Sequence, residues 1–256
     1  SLGLVGSEMC IRDSTGGVAM SKREFGIYIP SYKRAATIST HKLLEYYKVV
    51  VRKSEETEYL KVIPKENLIA VPDEEINNIV KVVNWIVDNS EEEVIAMIDD
   101  DMNDLIYRLD FNEKITDPEV ITSELERIAQ LMVDLDIGYG AVDASIAPWN
   151  YAQEFTFAGT SGGLRWFNKK VYKARFDEKI GYCCDTDAVL QELLKNRIIL
   201  KPKYLCSHGA TDVNSGGNSQ KTRNDQIASF ELMKHKWGKY FDYQLKTNKI
   251  YVRVRR

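Results

Sequence analysis

Val94-Ile95-Ala96-Met97-Ile98-Asp99-Asp100-Asp101 is the stretch on which the fold turns. Five apolar residues in a row, preceded by the polar Glu91-Glu92-Glu93, leave neither face of an extended segment polar. Such a run suits a central parallel strand covered on both sides. It stops abruptly at three carboxylates. Working outward, Phe25-Gly26-Ile27-Tyr28-Ile29-Pro30, residues 48–52 and residues 68–72 read as further strands. A helix is predicted over residues 37–47. Another, carrying Ile76, Ile79, Val80, Val83 and Ile86 at helical spacing, is predicted with Asp73 as its cap. This alternation predicts an α/β fold, a mainly parallel sheet with helices on both faces. Ligands of such sheets bind beyond the carboxyl ends of the strands. Pro30-Ser31-Tyr32 and Asp99-Asp100-Asp101 are therefore expected to face one crevice.

The second half is less regular. Leu125, Ile128, Ala129, Met132 and Leu135 mark an amphipathic helix with Gly138 as its expected stop. Residues 139–145 and 164–171 read as strands, separated by an aromatic loop with Trp149, Tyr151 and Phe155. A helix follows Asp185, residues 197–205 read as a last core strand, and a helix over residues 226–237 closes at Gly238. With no repeat and no long linker, residues 20–256 are expected to form a single domain. Met9-Cys10-Ile11-Arg12-Asp13-Ser14 resembles a translated sequencing adapter. Residues 1–19 are accordingly expected to be a non-native leader in a metagenomic sequence whose native start is Met20.

Composition narrows the classes of function. Of 256 residues, 44% are hydrophobic and 29% charged, ordinary for a globular protein. A formal charge of −3 argues against a general polyanion binder, so any nucleic-acid contact needs a local basic patch. No apolar run reaches the roughly 18 residues of a membrane span. The four cysteines form no disulfide framework, which favours an intracellular, cytoplasmic setting.

Residues two apart on an extended strand share a face, so Asp99 and Asp101 are expected to point together. Paired carboxylates suit Mg²⁺ or Mn²⁺ bridging to substrate phosphate oxygens. The alternative is a solvated acidic turn. Asp185 and Asp187 form a second acidic pair; either serves as a general base for an acceptor hydroxyl, or Asp185 caps the helix behind it. His208 is a metal-ligand candidate, because an imidazole beside carboxylates favours Mn²⁺. Gly162-Gly163 is either a close backbone approach to a ligand or a plain turn.

Together and in order, these pieces resemble the GT-A glycosyltransferase plan over roughly residues 24–240. The resemblance implies a nucleotide-sugar site of Pro30, Ser31, Tyr32, Arg34, Asp99, Asp100, Gly162 and Gly163, with Asp99, Asp101 and His208 holding the metal. The DxD motif of that family matches Asp99-Asp100-Asp101. Its acidic motif at a helix start matches Cys184-Asp185, with Cys184 replacing the usual first acid, so the base is Asp185 or Asp187. More narrowly, the chain is similar to phage glycosyltransferases associated with TET-type dioxygenases. That similarity rests on Ile29-Pro30-Ser31-Tyr32, Ile98-Asp99-Asp100-Asp101 and Lys236-Trp237-Gly238-Lys239-Tyr240. It implies transfer from a UDP-sugar (UDP-glucose or UDP-N-acetylglucosamine) to 5-hydroxymethylcytosine in bacteriophage DNA, a DNA modification. Trp149, Tyr151, Arg165 and Trp166 are the acceptor-side candidates, and Lys221, Arg223, Lys234, Lys236, Lys239, Arg253, Arg255 and Arg256 are the candidate phosphate contacts. The competing expectations are a glycan or protein acceptor, a two-metal nuclease or nucleotidyltransferase, and a non-catalytic nucleic-acid-binding module.

Overall fold

The computed structural model describes residues 24–108, 112–143, 153–209, 222–247 and 249–254. In chain order these form β1 (Phe25–Pro30), β2 (Lys48–Arg52), α1 (Glu56–Tyr59), β3 (Leu68–Val71), α2 (Ile79–Asn89), β4 (Val94–Ile98), β5 (Met102–Arg108), β6 (Asn112–Ile115) and α3 (Pro118–Asp134). The remainder is β7 (Tyr139–Ala141), β8 (Phe155–Thr156), β9 (Leu164–Asn168), α4 (Cys184–Lys195), β10 (Lys201–Pro202), β11 (Leu205–Gly209), α5 (Arg223–Trp237), β12 (Phe241–Gln244) and β13 (Lys249–Val252).

The central sheet has the order β3-β2-β1-β4-β9-β7. β1 to β4 run parallel, whereas β9 pairs antiparallel with both β4 and β7. All five residues of β4 are buried, as a central strand requires. Its alternation divides the core. Val94, Ala96 and Ile98 pack with Ile121, Leu125, Ile128 and Met132 of α3, while Ile95 and Met97 pack with Val80, Val83 and Ile86 of α2 and Val189 and Leu193 of α4. Helices thus cover both faces. The strand order reverses at β1 and β4, and the carboxyl ends of these two strands open the crevice. A second sheet, β11-β5-β6, stands beyond that crevice and brings His208 back towards the end of β4.

Several expected boundaries are corrected. Residues 37–47 hold only a 3-10 turn, Thr40–Leu43. The hydroxyls of Ser39 and Thr40 donate to the carbonyls of Met102 and Asp99, and such side-chain bonds compete with a helix. Asn78, not Asp73, caps α2, accepting from the Lys81 amide at 2.9 Å; Asp73 instead accepts from the amide and hydroxyl of Ser54. α3 ends at Asp134, and the left-handed residue after it is Asp136 with φ 51°. Gly138 has another duty: a Cβ there would lie 2.9 Å from the Tyr172 backbone and from the Glu192 carboxylate. The strands expected over 139–145 and 164–171 stop at Ala141 and Asn168, and residues 197–205 divide into the two-residue β10 and the start of β11.

Candidate active site

Asp99, Asp100 and Asp101 do not continue β4. They form the tight turn into β5, so the strand alternation that was expected to align Asp99 with Asp101 is absent. The turn is tied from the far side of the crevice: Thr40 Oγ1 donates to the Asp99 carbonyl at 2.6 Å and accepts from the Met102 amide at 2.9 Å.

Each aspartate has its own surroundings. Asp99 accepts from Arg165 Nη2 at 2.9 Å. Protein atoms ring Asp99, and this burial, together with the charges of Asp100 and Asp185, raises its pKa against the pull of Arg165. Yet 49% of its side chain is exposed. The carboxylate is thus open to solvent at the carboxyl end of β4. Asp100 is different: it is buried and held by Arg34 Nη1 at 2.6 Å and by the Ser31 hydroxyl. This carboxylate anchors the β1 loop, so the expectation that it contacts the donor is corrected. Asp101 accepts from Arg34 Nη1 at 3.0 Å, and its pKa is raised by burial and by the neighbouring charges of Asp100 and Asp99.

The β1 loop completes this wall. Tyr59, unforeseen in the sequence, accepts from the Arg34 amide at 3.1 Å and lies 2.6 Å from the Ser31 hydroxyl. Tyr32 is half-buried beneath the Arg52 guanidinium, 4.0 Å from the ring centroid. Pro30 closes β1, opposite Val50.

Gly163 passes directly under Asp99. Its carbonyl accepts from the Asp99 amide at 2.9 Å, and a Cβ on it would come within 2.5 Å of Asp99 Oδ2. Gly162 precedes it, buried. Gly163→Ala is therefore expected to displace the Asp99 carboxylate while leaving the sheet intact. The expected loss is about 10²-fold in turnover with unchanged circular dichroism, since a misplacement of about 1 Å costs that much. Wild-type turnover in this variant would show that the close approach has no bearing on the site.

Asp185 lies in the first turn of α4 and takes part in the same charge cluster as Asp99 and Arg165. The helix cap is Cys183, so Asp185 is not the cap. Burial raises its pKa, opposed by Arg165 and by the Thr186 amide, which donates at 2.7 Å. Asp187 has no exposed surface (0%) and is fully engaged by Trp237 Nε1 at 2.7 Å, Gln191 Nε2 at 2.8 Å and Lys236 Nζ at 2.9 Å. A carboxylate so enclosed meets no acceptor, and Asp187 is corrected as a candidate for the base.

Two acceptor-side candidates are corrected as well. The Trp166 ring is wholly buried, with its indole donating to the Leu125 carbonyl at 3.1 Å, so it stacks no base. Arg165 is buried as the counter-charge between Asp99 and Asp185. Trp149, Tyr151, Lys221, Arg255 and Arg256 lie outside the described residues.

His208, on β11, is half-buried, with Nδ1 2.9 Å from Asp104 Oδ1. Among the described residues no three acidic, imidazole or thiol side chains form a ready-made metal cage. Mg²⁺ and Mn²⁺ in phosphate sites need none: one or two carboxylates suffice, and phosphate and water complete the shell. The donor chemistry here fits, since burial and the neighbouring like charges raise the pKa of Asp99 and Asp101, and a cation offsets that repulsion.

Solved structures show the fold. The mannosyltransferase PcManGT from Pyrobaculum calidifontis, in complex with GDP-Man and Mn²⁺, matches with TM-score 0.55 and 14% identity over 83% of this chain and 64% of its own. A mycobacterial protein matches with TM-score 0.51 and 8% identity over 84% and 74%. S. aureus TarS, residues 1–349, matches with TM-score 0.49 and 12% identity over 83% and 65%. The chain thus spans about two thirds of the length of the mannosyltransferase and of TarS. Its fold is that of the GT-A glycosyltransferases. Within that class the chain belongs to the TET-associated glycosyltransferases, whose family model matches residues 25–217. No curated protein matches it. None of the described helices is long and apolar enough to cross a membrane.

Proposed function

We propose that this glycosyltransferase, reading residues 20–256 as one domain, moves a sugar from a UDP-sugar to the hydroxyl of 5-hydroxymethylcytosine in phage DNA within the host cytoplasm. The observation that carries the reading is the gathering of Asp99, Asp101 and Asp185 where the parallel strands end, in a chain of this family. Asp99, Asp101 and His208 would hold Mn²⁺ or Mg²⁺. Held there, such a cation would supply positive charge against the diphosphate leaving group. Ser31, Tyr32 and Arg34 form the wall along which the nucleotide lies, and Gly163 lets the backbone pass close enough to hold the Asp99 carboxylate in place beside the donor. Asp185 receives the proton of the acceptor hydroxyl as that oxygen attacks the anomeric carbon and the bond to the diphosphate breaks, which inverts the centre.

A DNA acceptor is supported by the association in the family's description and by α5 and the β12-β13 hairpin. These, with the turns that follow them, expose Lys239, Lys246 and Lys249 beyond the family match. The test is to offer UDP-glucose, UDP-N-acetylglucosamine and GDP-mannose, each with Mn²⁺, to hydroxymethylcytosine DNA, unmodified DNA and oligosaccharides. Nucleoside mass spectrometry is expected to find the glycosylated base only with modified DNA and a UDP-sugar. Transfer to oligosaccharides alone, or strand cleavage without sugar transfer, would overturn the assignment.

A further inference from the structure

We infer that Asp104 is a positioning residue for the metal ligand His208, an inference that rests on the metal reading given above. Asp is a poor strand residue, yet Asp104 sits in β5 directly opposite His208 of β11, with 5% of its surface exposed. A buried carboxylate in a strand needs partners. It has two: His208 Nδ1 lies 2.9 Å from Oδ1, and Lys114 Nζ lies 3.4 Å from Oδ2. With the Asp104 carboxylate as acceptor, Nδ1 is the donor, and a neutral ring then offers its lone pair at Nε2. That is the tautomer a metal-bound histidine needs, and a carboxylate behind the ring is the common means of fixing it.

The register places the pair where the metal reading needs it. The β5-β11 ladder slips between His208 and Gly209, and a bulge of this kind re-aims the side chains beside it. At Gly209 the backbone lies so close to Asp101 that a Cβ would stand 3.2 Å from Asp101 Oδ1. His208 is thus the neighbour of the residue that touches Asp101. A staple joining two strands would account for the hydrogen bond alone. The positioning role predicts in addition an effect on cation affinity that passes through the imidazole.

The experiment titrates Mn²⁺ into the protein in the presence of UDP and follows free Mn²⁺ by electron paramagnetic resonance, with no turnover involved. Asp104→Ala is expected to weaken Mn²⁺ about 10- to 100-fold. Asp104→Asn, whose amide oxygen still accepts from Nδ1, is expected to fold as wild type and to lose less. The double variant Asp104→Ala/His208→Ala is expected to bind no more weakly than His208→Ala, because Asp104 acts through the ring. Wild-type affinity in both Asp104 variants, or losses that add in the double variant, overturns the inference and leaves the metal reading standing. Wild-type affinity in His208→Ala removes His208 from the metal site and takes the inference with it.

Discussion

Asp185→Asn is expected to lower kcat by about 10²- to 10⁴-fold, the usual contribution of a general base, with donor affinity nearly unchanged. The amide keeps the size and much of the hydrogen bonding of the carboxylate but takes up no proton. The pH dependence gives the companion result. A base works only when deprotonated, so kcat falls as pH drops through its pKa. Burial raises that pKa against the opposing Arg165, so the acidic limb is expected above the ordinary carboxylate range and should be missing from the residual rate of the variant. For stability the sign is reversed: a carboxyl whose folded pKa is raised stabilises the fold when protonated, and this contribution is lost as pH rises through the folded value. A variant with wild-type kcat and an unchanged acidic limb would remove Asp185 from the chemistry.

Asp187→Ala, two residues along the same helix, is expected to act on the fold. Asp187 is buried and joins α4 to α5 through Lys236 and Trp237, while Gln191 of its own helix also donates to it. Removing it strands an indole N–H and leaves an ammonium that is 34% exposed. Breaking a fully buried pair costs roughly 3–5 kcal/mol, and the partial exposure of Lys236 points to the low end, about 3 kcal/mol. For a chain of this size that is a fall in Tm of about 6–12 °C. Thermal unfolding followed by circular dichroism measures it, and a Tm within about 1 °C of wild type would show that the α4-α5 junction stands without this carboxylate. The two neighbouring aspartates therefore separate by readout, one through kcat and the other through Tm.

The central sheet was legible because burial on both faces writes itself into composition: Val94-Ile95-Ala96-Met97-Ile98 has no polar position to misassign. The crevice followed from the alternation of strands and helices. What the sequence concealed were partners distant in the chain. Tyr59 and Asp104 bear no motif, and their roles come from contacts to Ser31, Arg34 and His208 across separations of 28, 25 and 104 residues. Trp166 and Arg165 looked suited to an acceptor because aromatic and cationic side chains often face ligands. Their place in β9, a strand paired on both sides, turns one into the core and the other onto Asp99. The Asp99-Asp100-Asp101 turn misled in the same way, since alternation holds only while the backbone stays extended.

Arg34 spans Asp100 and Asp101 at 2.6 and 3.0 Å, and Arg165 holds Asp99 at 2.9 Å. The acidic turn is therefore supplied with internal counterions before any ligand arrives. A cation taken up as proposed would enter by exchange, replacing a guanidinium beside carboxylates that are already paired. The protein should accordingly withstand a chelator with little change in its melting behaviour, unlike domains whose folding waits for their metal.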